Sequence, residues 1–539
     1  MVTAASSMCS SAARPRQSCA TPAARCCRSA TPEPAARQHG CRFRHGVVMR
    51  ILTVCAEYAP LAKVGGLGDV TTGLCGWLAR RGHEVLVVLP FYGEMRERGV
   101  AIEAHAALGP RPAPGSAPAS YAVHRLAGQA GAGRGPEIFL VDAPAFFGGG
   151  VYASGTAEAL RFMLLSRAAL EFAASAGFRP DIVHCHDWHA APAAVMLKGP
   201  LRAERAFRQS YAALTIHNIG YQGVFPAGLL EQADAASLQP LFAPEDLAQG
   251  DINFLRAGIA NADVLTTVSP THAQEIQTAE YGMGLDGLLR QRRHRLAGIL
   301  NGVDYAHWDP ATDPLLPAHY SARDLVGKQT CRRALAAELG LDLQPGVPVV
   351  GLVSRLAQQK GIDIVIHALP ALLAARRFCC AILGSGEQGY VAALRDLAAS
   401  HPGRVAFVEA QDEGLAHRVY AGSDLFLVPS LYEPCGLTQM YAMRYGAVPV
   451  VRRTGGLADT VTHFDPATGQ GTGSVFLDAD VGGLGWGLNA ALDWHASPSD
   501  WARVVANGMA RDWSWEHQGP RYEELFARLV NGGAMPSSS

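Results

Sequence analysis

The sequence has little charge and no excess of either sign. Charged residues are 17% of its 539 positions, with 46 Lys and Arg against 47 Asp and Glu, a formal net charge of -1. Nucleic-acid binders ordinarily carry a basic excess, so the global balance argues against that class, although it hides local patches. There is no uncharged run of about 18 or more apolar residues to span a membrane, and no apolar h-region to direct secretion. Seven cysteines lie beyond residue 48, namely Cys55, Cys75, Cys185, Cys331, Cys379, Cys380 and Cys435, and none forms a CxxC pair. An odd, scattered set of this kind reads as reduced core thiols, not a disulfide framework or a zinc site. Apolar material, in contrast, is plentiful. At 49% hydrophobic residues the chain can build large cores, and its length suggests about three or four domains, or two large ones.

The near-zero charge conceals an asymmetry. Residues 1–48 hold seven Arg, no Lys and one acid, a sum of +7 − 1 = +6, which leaves −1 − 6 = −7 for the rest. They also hold five of the twelve cysteines and show no period able to bury a face. The segment is read as a disordered extension outside the fold. Two explanations stand: an organellar transit peptide, or upstream sequence with the true start at Met49. The second is preferred, because Met49 directly precedes the apolar strand Arg50-Ile51-Leu52-Thr53-Val54.

From Met49 the pattern alternates strand, loop and helix, which predicts parallel sheets covered on both faces. Strands are expected at 51–55, 84–89, 138–142, 182–184, 213–217 and 264–268, with a helix over 70–81 and a Gly/Pro/Ala-rich excursion over 107–135. Turn-forming pairs over 300–325 mark a linker. A second series has strands at 349–354, 378–383, 424–428 and 448–451, and helices over 362–377 and 434–445. One motif recurs: Lys63-Val64-Gly65-Gly66-Leu67-Gly68-Asp69 is echoed by Arg453-Thr454-Gly455-Gly456-Leu457-Ala458-Asp459. Two facing α/β halves are expected to place one such loop on each wall of a cleft.

Several loops carry groups suited to chemistry. Lys63 and the paired glycines fit an anion, although the stretch is neither GxGxxG nor a P-loop, and a plain glycine turn is the alternative. Arg355 and Lys360 flank the loop after a buried strand, an arrangement suited to a diphosphate; the alternative is a solvated basic turn. Glu433 follows another apolar strand and is expected in the first turn of a helix, where the dipole favours an anion. The alternative for it is a simple helix cap. His184-Cys185-His186-Asp187-Trp188-His189 suits a sugar site better than a metal, and His217-Asn218 ends a further strand with two polar groups. The DxD-like Asp478-Ala479-Asp480 lies outside this strand–helix logic and is read as a loop.

Taken together these residues resemble the ADP-glucose-type glycogen/starch synthases, glycosyltransferase family 5. The similarity runs from Met49 to about Leu529. It rests on 63–69, His186-Asp187-Trp188-His189, His217-Asn218-Ile219-Gly220-Tyr221-Gln222-Gly223, Thr267-Val268-Ser269-Pro270, Leu300-Asn301-Gly302-Val303-Asp304, Ser354-Arg355-Leu356 with Gln359-Lys360-Gly361, Glu433-Pro434-Cys435-Gly436-Leu437 and 454–460. The resemblance implies a GT-B fold, α/β, with two Rossmann-like domains facing across a cleft. Residues 49–300 would form the acceptor and catalytic wall, 301–508 the nucleotide-sugar domain, and 509–530 a helix crossing back to the first. It implies transfer of glucose from ADP-glucose to the non-reducing end of an α-1,4-glucan, glycogen or starch, with retention. It also implies no cofactor, no metal, no nucleic acid and no membrane, and a cytoplasmic site, or a plastid if 1–48 is a real transit peptide. Oligomeric state is not implied.

Carried over position by position, the resemblance assigns Lys63 and Gly66 to the donor phosphate and sugar region, with Glu57 and Asp69 beside them. Arg355 and Lys360 would hold the diphosphate and neutralise the leaving ADP. Glu433 would lie by the transferred glucose, and Cys435, Gly436, Leu437 and Thr438 around the sugar and phosphate. His217, Asn218 and Asn301 would contact glucose, with Asp187 on the same wall, Gly456 in the echoed loop and Tyr152 towards the acceptor. Two positions depart from related enzymes. Gln411 stands where bacterial relatives often carry an adenine-stacking Tyr. Tyr441 stands eight residues after Glu433, where many retaining GT-B enzymes outside this family have a second Glu. A UDP-glucose transferase acting on another acceptor and a non-catalytic glucan-binding homologue remain as rival readings.

Overall fold

A computed structural model of the chain describes residues 48–105, 111–112, 120–128 and 135–532. The expectation for residues 1–48 lies, apart from Val48, outside the described residues. The first described strand lies where the apolar pattern starts. Met49 is buried, its amide meets His83 Nδ1 at 3.1 Å, and Arg50–Val54 follows as a strand.

Two separate sheets form, one for each βα series. The first runs, edge to edge, Leu296–Gly298, Val264–Thr267, Tyr211–Ile216, Ile182–His186, Arg50–Val54, Glu84–Pro90, Glu137–Asp142, Ser120–Leu126, Ile102–Ala104. All neighbours are parallel down to Glu137–Asp142; the last two strands are antiparallel. The excursion over 107–135 is therefore not loop alone. Buried Tyr121 and Val123 alternate with partly exposed Ala122 and His124, the period of a half-buried edge strand. The second sheet is wholly parallel in the order Val405–Val408, Cys379–Leu383, Val349–Val353, Leu425–Val428, Val448–Arg452, Ser474–Phe476.

In each sheet the first strand of the series sits in the middle, and the order reverses beside it. The reversal falls between Arg50–Val54 and Ile182–His186 in one half, and between Val349–Val353 and Leu425–Val428 in the other. Loops at the carboxyl ends of such strand pairs diverge and leave a crevice, where ligands of open α/β sheets bind. The loops at 63–66, 187–189, 355–360 and 429–437 are the ones that leave these four strands.

Each sheet has its own apolar core, and Leu437 packs against both. The chain end ties the halves together. Trp515, Tyr522 and Phe526 of helix Trp515–Val530 belong to the first core although they follow the second sheet. This contact needs glycine opposite it: a Cβ on Gly73 would lie 1.9 Å from Trp515 Nε1, and one on Gly302 would lie 2.4 Å from Trp515 Cδ2.

Two helices begin elsewhere than expected. The first starts at Gly66, not at residue 70, because Glu57 Oε2 accepts the amides of Val64 at 2.8 Å and Gly65 at 3.0 Å just ahead of it. The other spans Thr438–Arg444, so Glu433 is not in a helical first turn. Gly436 at φ 72° breaks any regular path between them.

Candidate active site

The wall built by the first half has three parts. Glu57 is buried; besides the two loop amides, its Oε1 accepts the hydroxyl of Tyr152. Lys63 bonds Asp69 at 2.9 Å and Glu413 of the other half at 2.8 Å. Burial opposes the Lys63 charge, but these two carboxylates outweigh it and hold its pKa above the ordinary value. Gly66 faces the second half, where a Cβ would meet Leu437 Cδ1 at 3.4 Å.

The second part is organised by Asp187. Its backbone sits at φ 56°, an uncommon conformation for a residue with a side chain. That turn lets Oδ1 accept the amide of His217 at 2.6 Å and that of Asn218 at 3.3 Å. Burial pushes the Asp187 carboxyl up to about 7, against the pull of those two amides. His217 Nε2 meets His186 Nδ1 at 2.9 Å, and burial lowers the His217 pKa to about 3, so the ring is neutral at physiological pH. His184 meets Thr215 at 2.6 Å. His186 and His217 thus meet each other and His184 meets a strand tip, while His184 Nδ1 and His186 Nε2 have no hydrogen-bond partner among the described residues.

The wall built by the second half centres on Glu433, which is 6% exposed. Its Oε2 accepts Lys360 Nζ at 2.6 Å and Ser430 Oγ at 2.8 Å, and its carbonyl accepts the Gly456 amide at 3.0 Å. Lys360 follows the first strand of the sheet and Glu433 the fourth, so the pair bridges the switch point. Arg355, on the same loop as Lys360, is exposed and has no ion pair among the described residues. Cys435 is buried and its thiol is pushed up to about 12 by burial, so it is inert as a nucleophile. Asn301 contacts Cys435 and is buried, and its Oδ1 has no hydrogen-bond partner among the described residues. Thr438 opens the helix Thr438–Arg444.

The structure therefore joins Glu57 with Tyr152, Lys63 with Asp69, Asp187 with His217 and Asn218, Lys360 with Glu433, and Gly456 with the Glu433–Cys435 segment. Arg355 stands apart from these contacts. The echoed glycine loops do not line opposite walls. The one at 453–459 is capped by Glu275 of the first half, which accepts Gly455 N at 2.9 Å and Thr454 Oγ1 at 3.1 Å. Gly456 consequently backs the Glu433 segment: a Cβ there would lie 2.1 Å from the Cys435 carbonyl oxygen.

Sequence reasoning missed Glu413, Ser430 and Glu275. Ser430 was readable as Ser-x-x-Glu with Glu433, and Glu413 as Glu-x-x-x-His with His417. Glu275 carries no local signal. The DxD-like Asp480 caps the helix Val481–Ala496 through Gly483 N at 2.8 Å.

Residues 50–291 match the family described as the starch synthase catalytic domain, and residues 340–503 match glycosyl transferases group 1. Two α/β halves with their switch points facing a common cleft define a GT-B glycosyltransferase. The chain belongs to the glycogen and starch synthase family. It is 46% identical to the glycogen synthase of Anaeromyxobacter dehalogenans, over 90% of this chain and 100% of that protein. Glycogen synthase 2 of Geobacter sulfurreducens is 40% identical over 89% of this chain and 98% of its own. The solved catalytic domain of starch synthase IV from Arabidopsis thaliana, bound to ADP and acarbose, superposes with a TM-score of 0.83 at 35% identity, covering 90% of this chain and 100% of that one. Sucrose-phosphate synthase from Thermosynechococcus elongatus, at 18% identity and a TM-score of 0.56, shares the fold.

Proposed function

We propose that this glycosyltransferase moves glucose from ADP-glucose to the non-reducing end of an α-1,4-glucan with retention of configuration. The observation that carries the reading is the Lys360–Glu433 pair at the switch point of the second sheet, with the unpaired Arg355 on the same loop. A nucleoside diphosphate brought to these strand ends gains Arg355 directly and takes a share of Lys360. Releasing Lys360 leaves Glu433 with Ser430 beside the sugar, where its negative charge stabilises an oxocarbenium-like transition state. Lys63, from the facing wall, meets the same donor. The neutral His217, with Asn218 and Asn301, offers hydrogen bonds to glucose hydroxyls, and Tyr152 lies towards the acceptor. Gly66, Gly436, Leu437 and Thr438 shape the crevice between the halves. The ADP bound to the starch synthase IV domain and the glycogen synthase relatives support an adenine nucleotide as donor carrier.

Glucose incorporation into glycogen, measured with ADP-glucose and UDP-glucose side by side, tests the proposal. Preference for ADP-glucose is expected, and equal or better use of UDP-glucose overturns the donor assignment. We read the enzyme as cytoplasmic. No described helix is long and apolar enough to cross a membrane, and the seven described cysteines are all free and buried, as suits a reducing compartment.

A further inference from the structure

A second cluster of ligating groups borders the proposed donor site, beside Lys63 at the edge of the cleft. Glu413 and His417 stand four residues apart on the helix Glu413–Gly422, on one face of it. His307 reaches them from the linker between the two sheets. One potential ligand atom from each of the three lies within 4.8 Å of the other two. Ligands around a tetrahedral zinc ion stand about 3.4 Å apart, given bonds of about 2.0–2.1 Å. The His307 and Glu413 side chains are 48% and 44% exposed and already meet each other at 2.7 Å, so small rotations towards His417 would close that gap.

His417 provides the independent observation. Its side chain is fully buried, with Nδ1 2.7 Å from Asp313 Oδ2. Its Nε2 has no hydrogen-bond partner among the described residues. A carboxylate on Nδ1 keeps the proton there and leaves the Nε2 lone pair open, the arrangement that orients metal-binding imidazoles. Trp308 stacks on the His417 ring at 3.8 Å and 14° and holds its plane. A buried imidazole nitrogen left without a partner is costly unless something ligates it.

We propose that His307, Glu413 and His417 form a binding site for a divalent transition-metal ion of the zinc type. Two imidazoles and one carboxylate favour zinc, copper or nickel over magnesium or calcium, which prefer all-oxygen sites. Three protein ligands leave a fourth position for water. The ion displaces the proton now shared between His307 Nε2 and Glu413 Oε1, which are 2.7 Å apart. Glu413 Oε2 is a separate atom and stays on Lys63. The ion thereby ties the linker to the helix that reaches across the cleft to Lys63.

The test is a Co²⁺ titration of the full chain, read by visible ligand-field absorption, followed by displacement with Zn²⁺. The expected result is one equivalent, without sulfur-to-cobalt charge transfer, that both His307→Ala and Glu413→Gln lose. Loss of the Asp313 contact, in Asp313→Asn, is expected to weaken binding by about 10–100-fold. His307 is half exposed, so its variant is expected to fold, and its melting curve is recorded alongside. If the parent gives no such bands, or if parent and His307→Ala bind cobalt with equal stoichiometry and affinity, the site does not exist. Bands of sulfur-to-cobalt type that persist in both variants place the metal on cysteines and overturn the proposal as well.

Discussion

Lys360 and Glu433 allow stability and catalysis to be separated in one double-mutant cycle. Lys360→Met leaves the Glu433 carboxylate buried with Ser430 as its one side-chain partner among the described residues. Breaking a buried ion pair from one side costs roughly 3–5 kcal/mol, and the low end, about 3, applies because the Lys360 side chain is 21% exposed. Glu433→Gln leaves a lysine able to turn to water, and a loss of about 1.5–3 kcal/mol is expected, the scale of a lost charged hydrogen bond. The double variant holds no unpaired charge, so its loss should fall short of the sum by about 1–3 kcal/mol. Activity should behave differently. Glu433→Gln is expected to lower turnover by about a hundredfold or more, as loss of a transition-state stabiliser does. Lys360→Met should also fall, and the double variant should not recover. Urea unfolding measures the first quantity and glucose incorporation into glycogen the second. A soluble Glu433→Gln enzyme with near-parental turnover removes Glu433 from the mechanism. Strictly additive stability losses refute the pairing argument.

Three further outcomes are expected. Arg355→Ala should unfold within about 0.5 kcal/mol of the parent, because nothing described pairs with Arg355, and should lower turnover more than it raises the Michaelis constant for donor; parental kinetics would reduce the loop to a basic turn. Gly73→Ala should destabilise by about 1–3 kcal/mol, since its methyl overlaps Trp515, and an unchanged urea midpoint would show that the terminal helix yields freely. Acid should unfold the protein steeply. Burial lowers the pKa of His184, His186, His189 and His217, three of them to about 3, while Asp187 is raised to about 7. Near pH 5 the unfolded chain then binds about four protons on the histidines, and the native state keeps about one on Asp187. Stability should fall as pH drops below about 6.5, most steeply near pH 5 at roughly 4 kcal/mol per pH unit, in urea titrations at fixed pH; a flat profile there refutes the buried neutral histidines.

The sheets were legible because buried parallel strands such as Val349–Val353 and Leu425–Val428 are nearly continuous apolar runs ended by turn signals. Val405–Val408, three of whose four residues are only partly buried, and the three-residue Ser474–Phe476 were not. The loops of the site were legible as compositions of cations, glycines and one acid, but their hydrogen bonds were not. Glu433 was expected to rest on a helix terminus; its actual partners, Lys360 and Ser430, come from the neighbouring strand's loop and from three residues upstream. Contacts between positions 73 residues apart leave no local trace, whereas the Ser-x-x-Glu spacing does.

The repeated glycine motif illustrates the same limit with more consequence. Sequence similarity of the two loops suggested equivalent anion sites on facing walls. In the structure each set of loop amides already holds a carboxylate, Glu57 in one case and Glu275 in the other. The carboxylates differ in origin. Glu57 belongs to the same half as its loop, while Glu275 crosses from the first half into the second, next to Thr271, whose amide and hydroxyl meet Asp459 at 2.8 and 2.7 Å. One copy thus organises the start of a helix that faces the cleft, where Lys63 adds its charge. The other has become a joint that fixes the two halves to each other directly behind Glu433. Both uses draw on the same physics, a turn with free amides that favours a negative group. What decides between a ligand site and a joint is which carboxylate the fold delivers.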